Sequence, residues 1–365
     1  MCPGVFYLKR LKKGIASAGS WKSTLLPPKP VVTRYGHCYD ALRVSFRLSL
    51  RSCAIILALA CLLGGCLVPP GGRPPQSGPE AVASSLGIQG EWQAGRLAVH
   101  FLDVGQGDAI LVQLPSGETM LIDGGTREAG PRVVSYLRQQ GIKRVDMLLV
   151  SHAHEDHLGG LPLVISSFPV GRAYLSPGEH TTTAYADLLE ALVAKKVPTE
   201  SGKAGQEVFR GSWSGPPPNP PGRGVAEVVG MLVGPTRDYA EQNDSSLVLR
   251  LSYGQVAFLF TGDAGIDAEE DMLASGNNLQ ADVLKIAHHG SSHSTSFRFI
   301  RRVRPRVAVV SVGADNPFGH PAPSVLRRLQ KGGVTVYRTD RDGDILALTD
   351  AQYLQVKAGT HATTR

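Results

Sequence analysis

From Arg96 onward the chain alternates short apolar runs with clusters of turn residues. Residues 97–102, 109–114 and 119–122 are apolar or β-branched and predict three strands. Residues 131–140 carry Val133, Val134 and Leu137 at helical spacing. The run 147–150 is apolar throughout, the pattern of a strand covered on both faces. Helices are expected near 158–165 and 183–194. Strands follow at 228–233, 247–251, 256–260, 283–286, 307–311 and 334–337, with helices at 266–273, 297–303 and 323–329. The Gly/Pro-rich segment 211–224 predicts a surface loop. Two strand-rich halves each pass into strand–helix alternation, which predicts an α+β fold of two sheets packed face to face with helices outside. Gly105-x-Gly107-x-x-Ile110 imitates a dinucleotide loop, but a strand follows it, so a β-hairpin turn is expected. Asp103 and Asp108 flank this turn and either line a site or stabilise the turn.

The candidate chemistry sits where the strand pattern stops. Ser151-His152-Ala153-His154-Glu155-Asp156-His157 directly follows the 147–150 run. His152 and His154 are two apart, so on extended backbone they point the same way. Asp156 and His157 follow a turn and can address a second position. Such a loop can hold two divalent metals roughly 4 Å apart, the arrangement that clamps attacking and leaving oxygens in hydrolysis. Histidine and carboxylate without thiolate suit zinc or manganese. The 256–260 strand ends in Thr261-Gly262-Asp263, which places a carboxylate to bridge two metals. The 283–286 strand ends in His288-His289. Adjacent residues on a strand face opposite ways, so one of the pair is expected to ligate and the other to meet substrate or protonate a leaving group. Lys285 and Asn243 are candidate substrate contacts, as is Asp103, and the run Arg301-Arg302-Val303-Arg304-Pro305-Arg306 is a candidate contact to a phosphate backbone.

Charge and cysteine divide the chain at one place. Residues 1–66 hold 10 Lys/Arg and 1 Asp/Glu, whereas residues 67–365 hold 28 and 30. The formal charge of +7 therefore describes the first segment and gives no reason to expect global attraction of nucleic acid. All 5 cysteines (Cys2, Cys38, Cys53, Cys61 and Cys66) also lie there, which excludes a disulfide-stapled fold and thiolate-bound zinc in the remainder. Arg43, Arg47 and Arg51 precede the apolar run 52–63, which is shorter than the ~20 residues of a comfortable membrane span. Leu63-Gly64-Gly65-Cys66 then closes it. This is the pattern of a secretory signal, and its ending resembles a bacterial lipobox with Cys66 as the lipidated residue. Translation from Val44 would leave a compact signal. The expected organisation is an N-terminal extension and signal over 1–66, a Pro/Gly-rich tether over 67–92, a hydrolase domain over 93–355 and a tail over 356–365. The expected location is the outer face of a bacterial membrane.

Together, H-x-H-x-D-H after a strand, a strand-end Thr261-Gly262-Asp263 and a strand-end His288-His289-Gly290 resemble the metallo-β-lactamase fold hydrolases. His100–Ala109, Leu121-Ile122-Asp123-Gly124-Gly125, Asn243–Leu249, Gly319-His320-Pro321 and Tyr337-Arg338-Thr339-Asp340 are similar to the C-terminal hydrolase domain of the ComEC competence proteins. The resemblance covers about residues 96–348. It implies a four-layer αββα sandwich with the site at its mouth, and metal-dependent hydrolysis of a phosphodiester, as in a nuclease. Metal ligands would be His152, His154, Asp156, His157, Asp263 and His289. A bound cation lowers the pKa of water from about 15.7 towards ~7. Asp156 or Asp263 would orient that nucleophile, and His288 or His320 would assist the leaving oxygen. ComEC-type domains commonly carry Asp where this chain has His154, and Asn243 stands where the wider fold has a third histidine. The resemblance does not extend to the membrane channel of those proteins, since residues 69–365 hold no long apolar segment. The implied partners are a phosphodiester such as DNA, the membrane through Cys66, and a separate channel protein. The alternatives are a same-fold hydrolase of a small phosphorylcholine-type ester or lactone, and a non-catalytic surface-binding lipoprotein.

Overall fold

The computed structural model describes residues 92–178, 180–214 and 225–359. Two sheets carry the architecture. The first takes the order β15-β14-β1-β2-β3-β4-β5-β6, and the second β13-β12-β11-β10-β9-β8-β7. In the first, β1 (Leu97–Phe101), β2 (Ile110–Gln113) and β3 (Thr119–Ile122) run antiparallel. Next, β4 (Val145–Val150), β5 (Val170–Leu175) and β6 (Thr199–Ser201) continue parallel to β3. The second repeats this plan. There β7 (Glu207–Trp213), β8 (Ala226–Gly234), β9 (Val248–Tyr253) and β10 (Val256–Phe260) are antiparallel. They are followed by parallel β11 (Val283–Lys285), β12 (Val307–Val310) and β13 (Thr335–Arg338).

Side chains alternate across each strand and sort into three layers of core. Leu97, Val99, Phe101, Met120, Ile122 and Leu149 meet Leu249, Leu251, Phe258, Phe260 and Val283 between the sheets. The outer face of the first sheet packs Leu111, Leu121, Leu148 and Val150 under α1 (Gly130–Gln139), α2 (Glu155–Leu158), α3 (Leu161–Ser167) and α4 (Thr183–Ala194). The outer face of the second packs Leu259, Leu284, Ala308 and Val310 under α5 (Ile266–Ala274), α6 (Phe297–Val303) and α7 (Pro323–Lys331). The result is the expected αββα sandwich. Strands covered on both faces show no polar alternation, which is why their sequences read as unbroken apolar runs.

The details depart from the sequence pattern: β5, β6 and β7 were not expected between 150 and 228, and other elements differ as well. The expected 158–165 helix is two pieces, α2 and α3, separated by Gly159-Gly160. Gly160 leaves no room for a side chain, because a Cβ there would sit 2.2 Å from the Gly124 carbonyl oxygen. Residues 211–213, expected as loop, finish β7. The last strands do not stay in the second half. After the short helix α8 (Thr339–Asp342), β14 (Ile345–Thr349) crosses back to pair with β1, and β15 (Leu354–Ala358) closes that edge. The domain therefore runs three residues past the expected boundary at 355. Among the described residues no helix is long and apolar enough to cross a membrane. The signal, Cys66 and most of the proposed tether lie outside the described residues.

Candidate metal centre

Parallel pairing sets the ends of β3 and β4 side by side, and likewise those of β10, β11 and β12. The loops leaving these ends meet at the seam between the two sheets. Ser151 and His152 follow β4, while His154 stands at the N-cap of α2 and Asp156 and His157 lie in its one turn. Asp263 follows β10, and His288-His289 follow β11 in a 3₁₀ turn over Ala287–Gly290.

The ring nitrogens converge from both sheets on two carboxylates. His157 Nε2 lies 3.3 Å from Asp263 Oδ1 and 3.9 Å from Asp156 Oδ2. His289 Nε2 lies 3.2 Å from Asp156 Oδ2 and 3.6 Å from Asp263 Oδ2. His152 Nε2 lies 3.8 Å from Asp263 Oδ2 and 3.0 Å from His154 Nδ1. Ligand atoms thus fall into three groups that share His157, each spanning less than 4.8 Å: His152/His157/Asp263 and Asp156/His157/His289 overlap at its Nε2, and Asp108/Asp123/His157 lies at its Nδ1. The far side of each ring is held. His157 Nδ1 bonds Asp123 Oδ2 at 2.9 Å, and His289 Nδ1 donates to the Ser311 carbonyl at 2.9 Å. Histidines that hold metals are oriented this way, by a partner on the other ring nitrogen. Asp123 is in turn fixed by Ser151, whose N–H and Oγ donate to its two oxygens at 2.7 and 2.6 Å.

These residues fit a divalent cation. His157 Nε2, His289 Nε2 and Asp263 Oδ1 are buried and make no hydrogen bond within the described residues. Buried polar atoms are normally paired, so a cluster of unpaired nitrogen and oxygen atoms facing one point calls for a positive ion. The electrostatics agree. Burial pushes the Asp263 carboxyl up, but the positive charges of His289 and His157 overcome it and hold the group well below the usual carboxylate range. Asp156 behaves alike: burial raises it, and the neighbouring imidazoles of His289, 3.2 Å away, and His157 bring it down. Burial drives His152 well below the ordinary imidazole value, and the neighbouring His157 charge adds to this. A neutral imidazole is the form that binds metal; burial lowers His157 and His289 but Asp263 beside them outweighs it and holds both up, so a cation taken there would displace their protons.

Several backbone features support the centre. Asp123, His288 and His289 all adopt left-handed backbone, with φ of 58°, 50° and 52°. Such residues cost of order 1–3 kcal/mol each and persist where surroundings over-determine them. Here the His288 N–H donates to the Gly262 carbonyl at 3.1 Å and the Ser291 N–H to the His288 carbonyl at 2.8 Å. The turn after β1 also packs directly on the ligand loop. A Cβ at Gly107 would lie 2.2 Å from the Asp156 carbonyl oxygen, so only glycine fits there.

The left-handed turn changes the expected geometry of the histidine pair. Both rings look towards Asp263, with His288 Nε2 at 3.9 Å from Oδ2. His288 is partly exposed at the mouth, with Asn243 Nδ2 at 3.5 Å from its Nδ1 and the His320 ring edge-on at 5.6 Å. Lys285 is a correction. It was expected to meet phosphate, yet it is 1% exposed and its ammonium is ion-paired with Asp108. Lys285 sits on the inner face of β11 and reaches across to the first sheet, so it cannot touch a substrate. Asp103 is a second correction: its Oδ1 accepts from the Gly105 N–H at 3.2 Å, and its own N–H donates to Asp344 at 2.8 Å. It stabilises the turn. The arginine run ends at the start of β12, whereas Ser311 at the other end of that strand holds His289. Arg306 is paired with Asp282. The run therefore lies a strand's length from the centre. Asp123, Ser151 and Ser311 were not singled out from the sequence. Asp123 ends a strand within an otherwise apolar run, and that was the available signal.

The profile of the metallo-beta-lactamase superfamily matches residues 102–314. The chain belongs to this superfamily. The matched span includes every residue of the three ligand groups. Among curated proteins, ComE operon protein 3 of Bacillus subtilis is 32% identical over 265 residues, covering 68% of this chain and 32% of that protein. Competence protein ComA of Neisseria gonorrhoeae is 30% identical over 248 residues, covering 67% of this chain and 31% of that one. The chain thus matches about a third of the length of these relatives. Among solved structures, the metallo-beta-lactamase fold protein YhfI from Bacillus subtilis is 12% identical with a TM-score of 0.41, covering 71% of this chain and 99% of that one.

Proposed function

We propose that this superfamily member is an exported, metal-dependent phosphodiesterase acting on nucleic acid. The observation that carries the reading is the pair of overlapping ligand groups sharing His157, built from side chains of both sheets. His152, His154, Asp156, His157, Asp263 and His289 would hold one or two Zn²⁺ or Mn²⁺ ions. When bound, such ions supply Lewis acidity to phosphoryl oxygens and a nucleophilic water at neutral pH. The chain's own residues do the rest. Asp156 and Asp263 orient the attacking water with their carboxylate oxygens. His288 and His320 stand on the open side of the centre, where they can hand a proton to the leaving oxygen. Asn243 orients the His288 ring. The competence-protein relatives supply the link to nucleic acid.

Metal removal tests the first half. Adding Mn²⁺ or Zn²⁺ to the chelator-treated chain at a hundred times its Kd should stabilise the fold by about 2.7 kcal/mol. An unchanged Tm in both ions would rule out the assigned centre. Substrate class is tested by comparing single-stranded DNA, duplex DNA, bis-p-nitrophenyl phosphate and a lactone under the same ions. Turnover of the lactone with every phosphodiester inert would replace the phosphodiesterase reading by that of a small-ester hydrolase.

Export and anchoring rest on the basic and apolar pattern before Cys66. A chain expressed in bacteria with labelled fatty acid should carry the label and partition with membranes, and Cys66→Ser should lose both. Label retained in the Cys66→Ser protein would place the anchor elsewhere.

A further inference from the structure

Beside the metal centre the loop from Val312 to Pro321 holds an aromatic ring out into water. Phe318 is 64% exposed. Its ring stacks on His320, with centroids 5.6 Å apart and planes at 29°. His320 stands edge-on to His288 at 5.6 Å, and His288 Nε2 lies 3.9 Å from Asp263. Three rings therefore lead from solvent to the carboxylate at the heart of the centre. The loop is wired to keep that arrangement. Asn316 Oδ1 accepts from the N–H groups of Phe318 at 3.2 Å and His320 at 2.9 Å. Its Nδ2 donates to the carbonyls of Gly313 at 2.9 Å and His320 at 2.8 Å. The Gly313 N–H reaches Gln106 Oε1 at 3.3 Å, which ties the loop to the turn that packs on Asp156.

We propose that Phe318, backed by His320, is a stacking platform for an unpaired nucleobase next to the reacting phosphodiester. This deepens the phosphodiesterase reading and rests on it. Every base offers a π-face, so an exposed ring on a rigid loop binds bases without reading their sequence. In a duplex those faces are already stacked on each other. The platform thus favours a single strand or a frayed end, and disfavours a small ester with no ring. It also accounts for how a chain that is slightly acidic beyond residue 66 can hold a polyanion: the contact is neutral, so affinity should fall less steeply with salt than for a protein bound through many phosphates.

The test uses the full chain with Mn²⁺ and two probes of equal length, an oligothymidylate and the same strand with abasic residues. The wild type should prefer the base-bearing strand about ten-fold in kcat/KM, mostly through KM. Phe318→Ala should bring that preference towards one, and Phe318→Trp should keep it. The introduced tryptophan should be quenched by the oligothymidylate and not by the abasic strand, relative to the wild-type signal. Equal cleavage of both strands by the wild type, or a preference that survives in Phe318→Ala, would overturn the platform while leaving the phosphodiesterase reading intact. Failure to cleave either strand, with a lactone turned over, would overturn both.

Discussion

Asp263→Asn is expected to abolish divalent-metal binding and to lower phosphodiesterase activity by at least about a thousand-fold. The reason is its position. Asp263 is within 4 Å of ring nitrogens from His152, His157, His288 and His289. Asparagine keeps the shape of the side chain and the backbone bond from Asp263 N–H to Ser246 Oγ at 3.0 Å. It removes the charge that draws a cation between the two sheets. The measurement is metal content and calorimetric titration of the purified variant, with Tm as a check on folding. The Tm rise on adding metal should vanish together with activity. A variant that binds metal within a few-fold of the wild type and turns over substrate would show that the centre is not assembled around Asp263.

Lys285→Met is expected to lower stability by about 3–5 kcal/mol, because it strands Asp108 as an uncompensated buried charge. At this size that is a fall in Tm of roughly 10 °C. Lys285 on β11 and Asp108 in the turn ahead of β2 are both essentially inaccessible, so the pair joins the two halves of the sandwich directly behind the ligands. Asp108 Oδ1 also lies 3.6 Å from His289 Nδ1. Removing the partner charge as well should undo most of the loss, since replacing a whole buried pair is often near neutral. The double variant Lys285→Met/Asp108→Asn is therefore expected to recover much of the Tm. If it is no more stable than the single variant, the loss came from packing and not from the stranded charge.

These two residues also show what the sequence makes legible. Asp263 was visible because it ends an apolar strand with turn residues on both sides, and chemistry collects at such ends. The H-x-H-x-D-H spacing was visible for the same reason. Lys285 carries no such signal. Its partner is 177 positions away, and a lysine in an apolar run reads as a solvated or substrate-binding group until the facing sheet is known. Asp123 was hidden likewise, since its role is to hold His157 from behind. Most strands buried on both faces were found from their unbroken apolar character, but β14, buried at all five positions, was not among them. β6 was missed because all three of its residues are exposed, and β15 because its burial is only partial. The left-handed turn at His288-His289 is a consequence of tertiary packing, and no residue type there announces it.

The direction of β1 has a consequence for how the molecule presents itself. Leu97 begins that strand, and Phe101 ends it just before the turn that packs on Asp156. Chain arriving from upstream thus joins the domain at the pole opposite the cluster of histidines, near Pro115 and the hairpin between β2 and β3. β1 thus separates Trp92 from the ligand cluster by its whole length, so a reporter dye placed at Trp92 would leave the reactive mouth clear.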